Sequence, residues 1–223
     1  MVLFLSGGGD STFSLDSLFA KEVGERANLL YVPNAMKSYK YSYEDCQVWM
    51  ENYYSKYKNI RITMQTDLSK LSMSYATKFS GMIIGGGNTF DLANAFQEQR
   101  KWGLLKELVS IGFPITGVSA GALLFARTVY PALSADSYNG ELDCFSGLNC
   151  LDNYDLWCHY TKEKQQLVCD YAKQYKLKNI LALSNYSGLV VSEKSIELVG
   201  KSSVIFNNNS IREINEGEII ERK

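Results

Sequence analysis

The run Gly117-Val118-Ser119-Ala120-Gly121 sets a serine among small residues, after the apolar stretch Phe113-Pro114-Ile115-Thr116 and before the Ala- and Leu-rich stretch from Ala120 to Arg127. A sharp strand-to-helix turn holds such a serine in a strained conformation with its hydroxyl exposed, and bulky neighbours would clash there. The chemistry served by that turn is acyl transfer. A Gly-x-Ser-x-Gly run also arises by chance in Gly-rich loops, so a partner is needed. Serine is a weak nucleophile at neutral pH and requires a base. The chain has one histidine, His159, at the end of the apolar run Tyr154 to Cys158, and imidazole titrates in the range that work requires. Cys158 beside it should face the opposite side of a strand and is read as core.

A second loop, Gly85-Gly86-Gly87-Asn88-Thr89, follows the apolar run Met82-Ile83-Ile84 and precedes a helical pattern. Consecutive glycines let backbone N–H groups approach a ligand closely, as an oxyanion hole or a carboxylate cradle demands. The amide of Ala120 would be a second donor. At the carboxyl ends of strands in an open α/β sheet, this loop and the serine turn would face one crevice. Neither nucleotide-phosphate pattern is met: Gly200-Lys201-Ser202 lacks the earlier glycine, since Ser195 stands there. Gly7-Gly8-Gly9-Asp10, after the first apolar run, reads equally as a crevice loop or as a tight turn.

The elements that must position these groups recur at βαβ spacing. Strands are expected at Val2 to Leu5, Asn28 to Val32, Ile60 to Met64, Met82 to Ile84 and Ile115 to Val118. Helices are expected at Thr12 to Val23, Tyr43 to Lys56, Leu68 to Phe79 and Thr89 to Leu108, with another over Lys162 to Tyr175. This predicts an α/β fold, a mostly parallel doubly wound sheet flanked by helices. Short runs at Ile180 to Leu183, Gly188 to Val191, Ile196 to Val199, Val204 to Phe206 and Ile211 to Ile214 predict a closing antiparallel meander. No linker is evident, so residues 1–223 are read as a single domain.

With 223 residues, 46% hydrophobic and 21% charged, the chain can bury one substantial core. A net charge of −1 with interspersed signs advertises no nucleic-acid face and no polybasic membrane segment. The N-terminus lacks the positive region of a signal peptide. Five cysteines without Cys-x-x-Cys spacing suit reduced thiols and a cytoplasmic setting. No metal or other cofactor is expected. The aromatic segment Trp49 to Tyr57 either packs on the sheet or forms a homodimer interface, with packing favoured.

Taken in order, Ser6-Gly7-Gly8-Gly9-Asp10, Gly85-Gly86-Gly87-Asn88-Thr89, Gly117-Val118-Ser119-Ala120-Gly121 and Gly147-Leu148 before Cys158-His159-Tyr160 resemble peptidase family S51. That family includes aspartyl dipeptidases (peptidase E) and cyanophycinase. The resemblance spans about residues 1 to 192 and implies a class I glutamine amidotransferase-like fold, with Ser119 as nucleophile and His159 as base. It further implies an oxyanion held by the backbone of Gly86 or Gly87 and of Ala120, with Asn88 also a substrate- or oxyanion-binding residue, a short peptide as substrate, and no metal.

Two positions depart from the pattern. Where the family places the acid that orients the histidine, this chain has Asn185, within Leu183-Ser184-Asn185-Tyr186-Ser187. An amide can fix a tautomer but cannot stabilise imidazolium as a carboxylate does. The alternative acids are Asp136, Glu141 and Asp143, with Asp136 preferred. For an aspartate-binding cation, where the chemistry favours arginine, the helix start after His159 offers Lys162 and Lys164 but no arginine, and Arg127, just past the serine's helix, is a further candidate. The expected activity is a serine dipeptidase, with Asp-Xaa as one candidate substrate. The alternatives are a catalytically silent binding relative and a small-acyl esterase or amidase. A glutamine amidotransferase proper would want cysteine at position 119.

Overall fold

The computed structural model describes residues 2–9, 13–37, 41–57, 59–140, 142–207 and 210–222. Its first half alternates strands and helices. β1 (Leu3–Ser6), β2 (Asn28–Val32), β3 (Arg61–Met64), β4 (Gly81–Ile84) and β5 (Ile115–Val118) are joined through α1 (Phe13–Val23), α2 (Tyr43–Tyr54), α3 (Met73–Ala76), α4 (Thr89–Glu98) and α5 (Trp102–Ser110). α6 (Ala120–Leu123) follows the serine turn directly. Then come β6 (Asp155–Tyr160), α7 (Gln165–Gln174), β7 (Asn179–Ser184), β8 (Ser187–Val191), β9 (Ser195–Gly200), β10 (Ser203–Asn207), β11 (Ser210–Ile214) and β12 (Ile219–Glu221).

Eight strands form the main sheet in the order β12-β9-β8-β1-β5-β4-β2-β3. The five N-terminal strands run parallel, and β8, β9 and β12 extend the sheet antiparallel from β1. Strands buried on both faces read as continuous apolar runs, and alternate residues divide between two cores. Leu3, Leu5, Leu30, Val32, Met82 and Ile84 point to the side covered by α4 and α5. Phe4, Leu29, Tyr31 and Ile83 point to the side covered by α1 and α2.

The closing strands do not make one meander. β8 and β9 complete the main sheet, whereas β7, β10 and β11 join β6 in a second sheet, ordered β11-β10-β7-β6, in which β6 and β7 are parallel. One face of this sheet packs Leu156, Leu181 and Ile205 onto the main core. The other packs Trp157, Ile180 and Phe206 against Val168 of α7.

Two expected helices are shorter than their periodicity implies. The Leu68 to Phe79 stretch becomes a 3-10 turn and the single turn α3, because Asp67 and Ser72 side chains accept from the amides of Ser69 and Tyr75 and start new elements there. The Thr89 to Leu108 stretch divides into α4 and α5 where Arg100 takes a positive φ of 53° and Lys101 N–H turns back to the Phe96 carbonyl. The aromatic segment on α2 packs as expected: Met50 and Tyr54 are buried on the sheet. Trp49 remains 55% exposed, stacked on Tyr53 at 5.1 Å between ring centroids.

Candidate active site

β1, β5 and β4 are neighbours, so their carboxyl ends bring the Gly7–Gly9 loop, Ser119 and the Gly85–Gly87 loop side by side. Ser119 has φ 50° and ψ −107°, a strained conformation that aims its hydroxyl away from the sheet. Packing holds the strain: Ser119 N–H donates to the Ser6 carbonyl at 3.0 Å, and its own carbonyl accepts from Ala122 and Leu123. The flanking glycines are required sterically. A Cβ at Gly121 would lie 2.1 Å from the Ile84 carbonyl oxygen, and one at Gly117 would lie 2.6 Å from the Gly121 oxygen.

His159 reaches this serine through a bulge. Trp157 and Tyr160 of β6 pair with Ala182 and Ser184 of β7, so three steps on one strand match two on the other. The extra residue re-aims a side chain, a common use of bulges beside active sites. His159 has φ 55°, its N–H donates to the Gly7 carbonyl at 2.9 Å, and Lys164 Nζ donates to its carbonyl at 2.8 Å. Its Nε2 lies 2.8 Å from Ser119 Oγ. Its Nδ1 lies 2.8 Å from Asn185 Oδ1. An oxygen acceptor at Nδ1 places the proton there and leaves Nε2 free to accept from the serine.

Asn185 occupies the two-residue turn between β7 and β8, where Tyr186 adopts φ 67° and donates its N–H to the Gly8 carbonyl at 2.9 Å. The first glycine loop thus ties both the histidine and the asparagine turn to β1. Gly8 itself has φ 102°, and a Cβ on it would sit 2.0 Å from His159 Cε1. The sequence left this loop open between a crevice wall and a tight turn. It is the wall against which the imidazole lies.

Asp136 is not the residue against the imidazole. Its Oδ2 accepts from the Thr89 amide at 2.8 Å, at the start of α4. Burial pushes its carboxyl above the usual range, partly offset by the Thr89 hydrogen bond and by the nearby His159. Asp143 is exposed, and its backbone N–H donates to Gln97. Glu141 lies outside the described residues. Asn88 lies beneath the loop rather than in the crevice. It is 5% exposed and caps α4, accepting from Phe90 and Asp91 amides while donating to the Ser137 carbonyl.

The cations expected for a carboxylate guest are placed elsewhere. Arg127 Nε and a terminal nitrogen bind Asp155 Oδ2 at 3.0 and 2.6 Å, Lys164 holds the bulge carbonyl, and Lys162 is exposed. Asp155, fully buried, also accepts from Thr128 Oγ1. A carboxylate inside the apolar run Tyr154 to Cys158 was the sequence signal for this pair. Cys158 turns its thiol toward the carbonyls of Ser119 and Ser6. Burial, with a smaller contribution from Asp136, pushes it up to about 12, so it stays a thiol at neutral pH.

The crevice over Ser119 has a volume of about 600 Å3 and is lined by Gly86, Gly87, Thr89, Asp136, His159 and Asn185, among others. Ala120 is fully buried; its amide belongs to the first turn of α6, where helix geometry supplies no intrahelical acceptor. Among the described residues, no group of three or more His, Cys, Asp or Glu could hold a metal ion. No helix among them is long and apolar enough to cross a membrane.

The chain is 27% identical over 128 residues to peptidase E of Shewanella sp. (strain W3-18-1) and 26% identical over 128 residues to that of Shewanella putrefaciens (strain CN-32 / ATCC BAA-453). These matches span 54% of the relatives' length and 55% of this chain. In fold it is similar to a peptidase from an acI-B1 Actinobacterium, with a TM-score of 0.73 and 16% identity over 99% of this chain and 96% of the other. It is also similar to a protein assigned to peptidase E from Listeria monocytogenes EGD-e, with a TM-score of 0.67 and 16% identity over 96% and 98% of the two chains. The model of peptidase family S51 matches residues 2–199, and the chain belongs to that family.

Proposed function

We propose that this protein is a serine peptidase that hydrolyses short peptides through an acyl-enzyme on Ser119. The observation that carries the reading is the continuous hydrogen-bonded line from Ser119 Oγ through His159 to Asn185, 2.8 Å at each step, at the edge of an open crevice. Family membership and relatives named peptidase E support the same reading.

His159 Nε2 takes the serine proton as Oγ attacks the peptide carbonyl carbon. The carbonyl oxygen becomes an oxyanion beside the amides of Gly86 or Gly87 and Ala120, backbone dipoles already held in place. Collapse breaks the C–N bond, and the same proton passes from Nε2 to the leaving amine. Water then repeats the sequence on the ester and frees Ser119. Asn185 keeps the imidazole oriented. Asp136 lines the same crevice without touching the imidazole.

The substrate we assign is a short peptide without an obligatory aspartate. No described residue lining the crevice is cationic, whereas carboxylate recognition calls for one. The test is intact mass after exposure to a small fluorophosphonate. We expect one adduct on the native chain, none on Ser119→Ala and strongly slowed labelling of His159→Ala. Labelling of Ser119→Ala at the native rate would sink the mechanism.

A further inference from the structure

Beside the crevice lies a second cavity of about 230 Å3, lined by Tyr31, Met36, Met50, Tyr53 and Ile83 among others. The two share Gly9, Met36, Gly86 and Val118 as walls, so they adjoin beside the residue that precedes Ser119. We infer that this cavity is the subsite for the side chain of the residue that donates the acyl group, and that it selects bulky apolar or aromatic side chains. The inference rests on the serine-peptidase reading above.

The direction follows from the chemistry. The base protonates the leaving amine, so the leaving group lies on the imidazole side of Ser119. The acyl carbon's own substituent lies on the other side, two bonds from the oxyanion and so near the glycine loop. The cavity is on that side: Gly85, Gly86 and Val118 line it, and His159 and Asn185 do not. Its size falls below the roughly 300–1,000 Å3 of a site for a whole small ligand, which suits a single side chain.

The wall chemistry selects against aspartate. None of the described lining residues is a lysine or arginine. The one ionisable carboxylate on the wall is Asp16, 4% exposed, which accepts a hydrogen bond from the Tyr53 hydroxyl. A substrate aspartate would bring a second carboxylate into the same enclosed space, which disfavours ionisation of both. A phenyl or isobutyl group would meet aromatic and thioether surface instead.

The experiment measures kcat/KM of the full chain on Phe-Ala, Leu-Ala, Ala-Ala and Asp-Ala, with fluorophosphonate labelling of Ser119 run on each preparation. The expected order places Phe-Ala and Leu-Ala at least about tenfold above Ala-Ala, with Asp-Ala lowest. Cys46→Phe, which fills the cavity from α2, should lower kcat/KM for Phe-Ala and Leu-Ala more than for Ala-Ala and so remove that advantage, with Ser119 still labelled. Met50→Ala, which enlarges the cavity, should shift preference toward Trp-Ala and gives a second handle if Cys46→Phe does not fold. Labelling with a flat side-chain profile, with Asp-Ala preferred, or with all substrates falling equally in Cys46→Phe would overturn the subsite alone. Absence of labelling in the native chain would overturn the peptidase reading and the subsite with it.

Discussion

Asn185 accepts from His159 Nδ1 at 2.8 Å through a neutral amide, so it orients the ring while adding little to the charged form that proton transfer creates. A hydrogen bond to a charged group is worth about 1 kcal/mol more than a neutral one, which is about fivefold in rate. Asn185→Asp, of the same size, should therefore raise kcat about fivefold in steady-state dipeptide hydrolysis, and Asn185→Ala should lower it; a fall in Asn185→Asp would show that the amide is preferred. Asp136 makes a prediction in pH. Because burial raises its carboxyl above the unfolded value, the native state retains a proton that the unfolded chain has released. Stability therefore falls as pH rises through the window between the two values, at up to about 1.4 kcal/mol per unit. Asp136→Asn keeps an oxygen for the Thr89 amide and should flatten that slope in urea titrations run upward from about pH 4.

At the scale of elements, the site is assembled by the ends of three parallel strands and one bulge. The Gly7–Gly9 loop has the tightest tolerance, since a Cβ at Gly8 would overlap the imidazole at 2.0 Å and its φ of 102° disfavours any side chain. Gly8→Ala should displace His159, break both of its 2.8 Å contacts and lower kcat/KM by about 100-fold or more, because misplacement of about 1 Å can cost that much. Circular dichroism should remain native. Retained activity would show that the loop yields more readily than its hydrogen bonds to Ser187, His159 and Tyr186 imply. The sequence marked all three glycine-rich turns, since glycine is the residue that such close approaches demand. It carried no sign of the bulge at His159 or of the break at Arg100, because neither position has a glycine or proline. Both residues are held at positive φ by their surroundings.

Across the whole molecule, the second sheet must be held in register for His159 to meet Ser119, and the Arg127–Asp155 pair pins the start of β6 to the segment after α6. Arg127→Ala would leave the fully buried Asp155 uncompensated, a loss of about 3–5 kcal/mol, read as a lower urea midpoint. A change under about 1 kcal/mol would show that Thr128 and solvent suffice for Asp155. The parallel sheet was legible from alternating apolar runs, because strands covered on both faces must be apolar throughout. So was the strand-to-helix turn at Ser119, because a serine held at positive φ there needs glycine neighbours. The division of the closing strands between two sheets was not legible, since a short apolar strand carries no address for its partner and pairing depends on which edge is free once the rest has packed. The sequence, by itself, determined the glycine-rich turns, the serine and the histidine, and the strand ends that bear them. Only the tertiary structure decided that Asn185 rather than Asp136 meets His159, and that Arg127 serves Asp155 rather than a substrate. It also decided that an apolar cavity adjoins the crevice over Ser119, since each of these depends on distances between segments far apart in the chain.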